Sequence, residues 1–205
     1  MYIPKLYRNN DLPEIEKFLR KNSFATLVSL HEEKHWATHL PLELEVNEQN
    51  QKVLWGHLSR ANPQWKSFAE NGEVMAIFLG PHTYISPSWY DHVNVPTWNY
   101  IAVHVYGKVK ITEGEELHRA LKRLVEKYEV ISQKPVSVET MPEEYVKKEM
   151  KGIVGLEISI DKMEGKWKLS QNRDDENFNN IISELEQLND MNAKLVAGEM
   201  RKLRP

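Results

Sequence analysis

The stretch His35–Val46, HWATHLPLELEV, alternates along its whole length. Trp36, Thr38, Leu40, Leu42, Leu44 and Val46 fall on one face; His35, Ala37, His39, Pro41, Glu43 and Glu45 fall on the other. Successive side chains of a strand point to opposite faces, so this period of two predicts a half-buried strand. Pro41 has no N–H to give to a ladder, which predicts an edge, a bulge or a change of pairing partner within the stretch.

The neighbouring segments extend this pattern in both directions. Ser23–Leu30 (SFATLVSL) reads as a strand joined to the first by the turn HEEK. After the turn NEQNQK, Val53–Leu58 (VLWGHL) reads as a third strand. Asn62 caps a short helix with Pro63 at its first position, and Asn71-Gly72 closes it. Glu73–Gly80 is a fourth strand, and Asn99–Ile111 is a long one with Ile101, Val103, Val105, Val109 and Ile111 on one face. Thr112 and Glu115 have the spacing of a capping box. Leu117, Ala120, Leu121, Leu124, Val125 and Tyr128 then repeat at helical spacing. A shorter helix is expected over Glu143–Met150, capped by Thr140. Ile153–Met163 alternates again, with Lys166–Ser170 as its continuation, and a closing helix over Glu176–Val196 carries Phe178, Ile181, Ile182, Leu185, Leu188 and Leu195 on one stripe. Tight turns between the early strands, with no Gly-rich strand-to-helix loop, argue against a doubly wound fold. The expectation is a mainly β protein with α: a barrel with helices packed on its outside and ends.

Composition narrows the chemistry. The chain has 205 residues and no cysteine, which excludes disulfides, thiolate metal sites and a Cys nucleophile, and fits a reducing compartment. Met1–Asn10 lacks a signal-type apolar core, and no stretch approaches the ~20 apolar residues of a membrane helix, so a cytoplasmic protein without membrane attachment is expected. The formal net charge of -3 gives no overall attraction for nucleic acid. His31, His35 and His39 recur every fourth residue, but four strand residues cover ~13 Å, too far for bonds of ~2 Å to one ion. No metal site is expected. Ser86-Pro87-Ser88 is no nucleophile motif, and Glu143 and Glu144 read as a solvated helix face, so no catalytic residue is named.

Two segments carry ligand-type chemistry. Gly56–Trp65, GHLSRANPQW, sets His57, Ser59, Arg60 and Asn62 at a strand end before a helix start. A guanidinium fork and a hydroxyl there suit a phosphate; a solvated turn with a structural Arg accounts for the same residues. Gly80–Tyr100, GPHTYISPSWYDHVNVPTWNY, reads as some twenty residues without a regular element, holding three Pro, two Trp and three Tyr. Aromatic packing must anchor such a loop, either around a planar ligand or simply as a structural cover.

These segments, with MYIPKLYR at 1–8, ATHLPLEL at 37–44, VPTWNY at 95–100 and KLSQNR at 168–173, resemble the FMN-binding split-barrel proteins. Within them the chain is similar to the PaiB-type negative transcriptional regulators, linked with control of sporulation and degradative-enzyme (protease) synthesis. The resemblance implies a six-stranded split β-barrel, like that of pyridoxamine-phosphate oxidases and flavin reductases, with peripheral helices. It implies FMN at the interface of a homodimer. The barrel domain would span 1–173, with a helical insertion at about 112–150 and a C-terminal helical extension at 174–205. Carried over by motif, the FMN phosphate falls near His57, Ser59 and Arg60, and Thr38, His39 and Leu40 border the ring or ribityl chain. Trp98 and Asn99 close the site, as do Lys168, Gln171 and Arg173. The function implied is an FMN-binding negative regulator of transcription acting on DNA, through a regulatory protein, or indirectly. A flavin-dependent oxidoreductase or flavin reductase is the alternative, and a haem-handling or purely structural barrel a third. No helix-turn-helix signature is present. Lys122, Arg123, Lys127, Lys134, Lys147, Lys148 and Lys151 could form a basic face, though solubility and amphipathic packing explain them as well.

Overall fold

The computed structural model describes residues 1–68 and 72–204. Its strands are β1 (Arg8–Asn9), β2 (Phe24–His31), β3 (Lys34–Pro41), β4 (Glu43–Val46), β5 (Lys52–Ser59), β6 (Glu73–Ile85), β7 (Thr97–Thr112) and β8 (Ile153–Lys168). Its helices are α1 (Leu12–Lys21), α2 (Gly114–Glu129), α3 (Glu143–Lys151), α4 (Asp175–Gln187) and α5 (Met191–Leu203), with short 3-10 turns between. Hydrogen bonding runs in the order β3-β2-β6-β7-β8-β5-β4, with β1 on β8. Among the described residues this path is open: β3 and β4 end it and do not pair with each other. The expected mainly β split barrel is therefore corrected to an α/β fold on an unclosed sheet, in which helix and strand are about equal among the described residues.

Pro41 accounts for the open sheet. The alternation continues from His35 to Val46, but the ladder does not. Pro41 ends β3, Leu42 gives its N–H to Ser23 O at 2.8 Å, and β4 starts at Glu43. One half then pairs with β2 (Phe24↔Pro41 to His31↔Lys34) and the other with β5 (Glu43↔Trp55 to Val46↔Lys52), so the stretch supplies both ends of the path.

The chain forms two compact units. One holds Ser23–Ala76 and Val105–Lys162. In it, β2 and β3 meet at a two-residue turn in which Glu32 and Glu33 both have positive φ (49° and 61°), the backbone that matches strand twist. β5 pairs antiparallel with β8 from Val53↔Ser159 to Ser59↔Ile153. Gly107 is obligatory at its place in β7, because a Cβ would lie 1.8 Å from Ser159 O. The amphipathic α2 buries Leu117 and Ala120 against Trp55, with Leu121, Met150 and Ile153 around them. Burying a side chain the size of Leu117 contributes about 1.5–3 kcal/mol. The expected capping box is absent: Thr112 still belongs to β7, and α2 starts from Glu113 without a side-chain cap. Thr140 does not cap α3, whose N-cap is Pro142; it closes instead a reciprocal box with Ser137. Asn62 caps the 3-10 turn Pro63–Ser67 as expected, accepting from Gln64 N at 3.1 Å. The helix end expected at Asn71 lies outside the described residues.

The other unit holds Met1–Asn22, Ile77–His104 and residues from Met163 onward. Here α1 is an element that the strand pattern did not reveal. Asp11 caps it by accepting from Glu14 N at 3.0 Å, and Ile15, Phe18 and Leu19 face inward. Phe18 meets Trp167 edge-on at 5.5 Å, and it leaves no room for a Cβ at Gly80, which would stand 2.6 Å from the Phe18 ring. The loop expected over 80–100 is shorter than its composition suggests, since β6 continues through Pro81 to Ile85 and β7 begins at Thr97. The single closing helix divides into two. The backbone extends at Leu188, and Asp190 caps α5 by accepting from Asn192 N at 2.8 Å. Leu188 and Leu195, expected on the buried stripe, are exposed.

Candidate functional site

Arg60 follows the last residue of β5, and its backbone N–H bonds to Gly152 O at 2.8 Å. Its guanidinium is anchored by backbone carbonyls: Nε donates to Lys151 O (3.0 Å) and Nη2 to Ile153 O (3.0 Å). Nη2 also reaches Glu113 Oε1 at 3.1 Å, while the Arg60 side chain is still 41% exposed. Nη1 makes no hydrogen bond among the described residues. The guanidinium lies 5.8 Å from the Trp65 ring, whose Nε1 donates to Arg60 O at 3.0 Å. The result is a fixed, outward cation with one donor edge left over, beside the exposed hydroxyl of Ser59, which accepts from Ala61 N at 3.3 Å. His57, opposite Gly155 on β8, is partly buried, and that burial pushes its imidazole below the usual histidine value. It is therefore neutral near neutral pH, able to donate at one ring nitrogen and accept at the other.

The ATHL residues divide between surface and interior. His39 is exposed and stacks on Phe24, with ring centres 6.4 Å apart. Leu40 is a core residue, 4% exposed. Thr38 Oγ1 donates to Gln64 Oε1 at 2.6 Å and accepts from Asn62 Nδ2 at 2.8 Å. Gln64 is fully buried, and its Nε2 donates to Ser29 Oγ (3.0 Å), Leu27 O (3.3 Å) and Trp36 O (3.4 Å). This amide pins the corner after Arg60 to the β2–β3 hairpin. Sequence reasoning missed it because a glutamine in a turn reads as a surface residue; only burial marks its role. Glu43 was missed in the same way. Placed by alternation on the polar face with Glu45, it is buried and accepts from Tyr128 Oη at 2.8 Å and from Lys127.

In the other unit the remaining candidates lie around the start of β7 and the end of β8. Trp98 is 53% exposed, with its ring near His82 (6.4 Å) and edge-on to Tyr84 (6.1 Å). Asn99 is 0% exposed; its Nδ2 donates to Ser170 Oγ at 3.0 Å and its Oδ1 pairs with the same hydroxyl at 3.1 Å. Ser170 holds a positive φ of 62°. Lys168 Nζ donates to Thr97 Oγ1 and to Trp98 O (2.7 Å). Burial first, then Lys166 and Arg173, hold its ammonium below the ordinary lysine value. Gln171 serves its own turn, donating to Trp167 O at 2.6 Å and accepting from Leu169 N at 2.8 Å. The Arg173 guanidinium lies 4.7 Å from the Tyr90 ring and donates to Asn94 Oδ1 at 3.4 Å.

Residues 1–162 match the family described as "Putative FMN-binding domain". The chain belongs to this family. FMN is accordingly its cofactor. Family membership is matched by near full-length relatives. The chain is 41% identical over 98% of its length, and 96% of the other's, to "Protease synthase and sporulation protein PAI 2" of Bacillus subtilis. It is 28% identical over 98% of its length, and 97% of the other's, to an uncharacterized protein of Emericella nidulans. Among solved structures, its fold resembles that of the flavocytochrome Anf3 of Azotobacter vinelandii (TM-score 0.61, 14% identity, 87% of this chain and 78% of that one). It also resembles the FAD and heme binding protein of Mycobacterium smegmatis (TM-score 0.56, 12% identity, 79% and 73%). Among the described residues, no helix is long and apolar enough to cross a membrane.

The residues present fit FMN. The guanidinium edge of Arg60 and the Ser59 hydroxyl are the donor types a phosphate needs, and a guanidinium oriented by backbone carbonyls loses little freedom on binding. His39 and Trp98 each present a ring at the surface of their own unit. Leu40, Asn99 and Gln171 serve core packing or local hydrogen bonds.

Proposed function

We propose that this protein is a cytoplasmic, FMN-binding negative regulator of sporulation and degradative-enzyme (protease) synthesis, working as a homodimer with FMN at the subunit interface. The observation that carries the proposal is the 41% identity, over nearly the whole of both chains, to a protein named for protease synthesis and sporulation. Arg60 and Ser59 hold the phosphate, and neutral His57 adds a donor or acceptor beside them without competing charge. Thr38, saturated by Gln64 and Asn62, acts by positioning the corner rather than by touching the ligand. Within the same unit Leu40 backs the strand from the core and His39 offers a surface ring. In the other unit Trp98 offers a second exposed ring, Asn99 is sealed in the core, and Lys168, Gln171 and Arg173 order their own segment. Bound FMN supplies a redox-active ring system. The effect on transcription is indirect, through a protein partner, because a net charge of -3 supplies no general attraction for DNA.

The test is a Bacillus subtilis strain lacking its PAI 2 protein and expressing this chain. Extracellular protease output and sporulation are expected to fall in that strain, and to stay unrestrained when the chain carries Arg60→Ala. Unchanged output in the presence of FMN-loaded wild-type protein would refute the regulatory reading. Salt-dependent, sequence-preferring DNA binding by the purified protein would replace the indirect route with a direct one.

A further inference from the structure

A cavity of about 600 Å³ opens beside Arg60, between the start of α2 and the last turns of α3. Among the described residues, cations outnumber carboxylates four to two in its lining: Arg60, Lys147, Lys148 and Lys151 against Glu113 and Glu144. Both carboxylates are engaged, Glu113 by Arg60 at 3.1 Å and Glu144 by Lys147 at 3.4 Å, and Lys147 also pairs with Glu143. Lys148 and Lys151 make no ion pair among the described residues. Leu117 and Met150 supply an apolar wall.

We propose that this cavity is a phosphate-monoester site in which Lys148 and Lys151 act together with Arg60. The proposal rests on the reading of Arg60 as a phosphate donor and extends it to α3. Three features carry it. First, the surplus positive charge is gathered around one open depression, which raises the local potential met by an anion. Second, the cations are tied together. The Lys151 carbonyl holds Arg60 Nε, so the residue that orients the guanidinium also lines the same cavity. Lys148 and Lys151 are three apart on one helix and therefore neighbours on its surface. Third, the volume lies within the range of small-ligand cavities, while no aromatic side chain lines it. That combination suits a compact dianion on a short stem, not a flavin ring. A phosphate monoester, close to -2 near neutral pH, matches two unpaired lysines better than a carboxylate does. Its source is either the phosphate of FMN itself or that of a separate phosphorylated metabolite.

Full-length apoprotein is titrated with FMN and riboflavin by flavin fluorescence, and with phenyl phosphate by ³¹P line broadening. The variant is Lys148→Ala with Lys151→Ala, both exposed, so its circular dichroism is expected to match wild type. If FMN binds the variant about 10–100-fold more weakly while riboflavin is unchanged, the cavity holds the cofactor's phosphate. If FMN is unaffected but phenyl phosphate binding disappears, the cavity takes a separate phosphorylated molecule. Wild-type affinity for both FMN and phenyl phosphate would overturn the proposal. Equal losses in a control lacking Lys122 and Lys134, which do not line the cavity, would overturn it too, by tracing the effect to overall charge. Arg60→Ala separates the two readings: wild-type FMN affinity in that variant refutes Arg60 as the flavin phosphate ligand, whatever the lysine variant does.

Discussion

Arg60 and Lys168 are both cations predicted from sequence to meet the cofactor, and the fold treats them in opposite ways. Arg60 rests on two backbone carbonyls and presents its remaining edge outward. Lys168 turns its ammonium onto Thr97 and the Trp98 carbonyl, where burial and two neighbouring cations hold its charge at a cost. The residues beside them follow suit: Ser59 is exposed, whereas Asn99 is sealed against Ser170. Around Arg60 polar groups stay exposed with donor capacity to spare, whereas around Lys168 they are spent on fixing the local backbone. A motif read from sequence does not distinguish these roles; hydrogen-bond saturation does.

The comparison predicts that substitutions in the second set act on stability and those in the first on binding. The largest stability effect is expected from Asn99→Ala, which leaves the Ser170 hydroxyl buried without its partner and should cost about 2–4 kcal/mol in urea unfolding. A loss below about 1 kcal/mol would break the contrast. Arg60→Ala should cost no more than about 1 kcal/mol of stability, since its partners are two carbonyls and the exposed Glu113 carboxylate; a cost equal to that of Asn99→Ala would make Arg60 structural. Lys168→Met should lower stability by roughly 1 kcal/mol or less, because relief of crowded, half-buried charge offsets the lost hydrogen bonds. It should also change Trp98 fluorescence; an unchanged spectrum would detach Lys168 from that residue.

The smallest effect is one of pH. Burial lowers the His57 imidazole below the ordinary histidine value of 6.5, and His104 is lowered as well, chiefly by burial. Between the folded and unfolded values the unfolded chain binds more protons, so stability rises with pH in that window and falls as pH drops from 6.5 towards the folded value. His57→Gln should flatten this slope by at most about 1.4 kcal/mol per pH unit, leaving the part due to His104. Denaturation midpoints with the same pH dependence as wild type would show that His57 is not desolvated.

Strand positions were legible wherever eight or so residues alternated between small turns, as in β2, β3 and β5, because period two is a direct record of one-sided burial. Closure was not. The alternation of HWATHLPLELEV passes through Pro41 without interruption, yet the proline makes the chain change partner there, and the sheet stays open. The signal for α1 was present in Asp11, Pro13 and the spacing of Ile15, Phe18 and Leu19, a cap, an early proline and an inward stripe. Pro81 inside β6 and Asp190 before α5 had the reverse effect: the first hid a strand's continuation, and the second marks a break that the apolar stripe ran across. In the candidate site, Arg60 and Ser59 were legible as donor types at a strand end. Gln64 and Glu43 were not, since their burial depends on distant segments closing over them.

The decisive measurement is the affinity of apoprotein for FMN and for riboflavin, in wild type and in Arg60→Ala. A phosphate gripped at this corner requires wild type to favour FMN, and Arg60→Ala to lose about 10–100-fold in FMN affinity with riboflavin unchanged. Equal FMN affinity in the two proteins, with circular dichroism showing both folded, would contradict it.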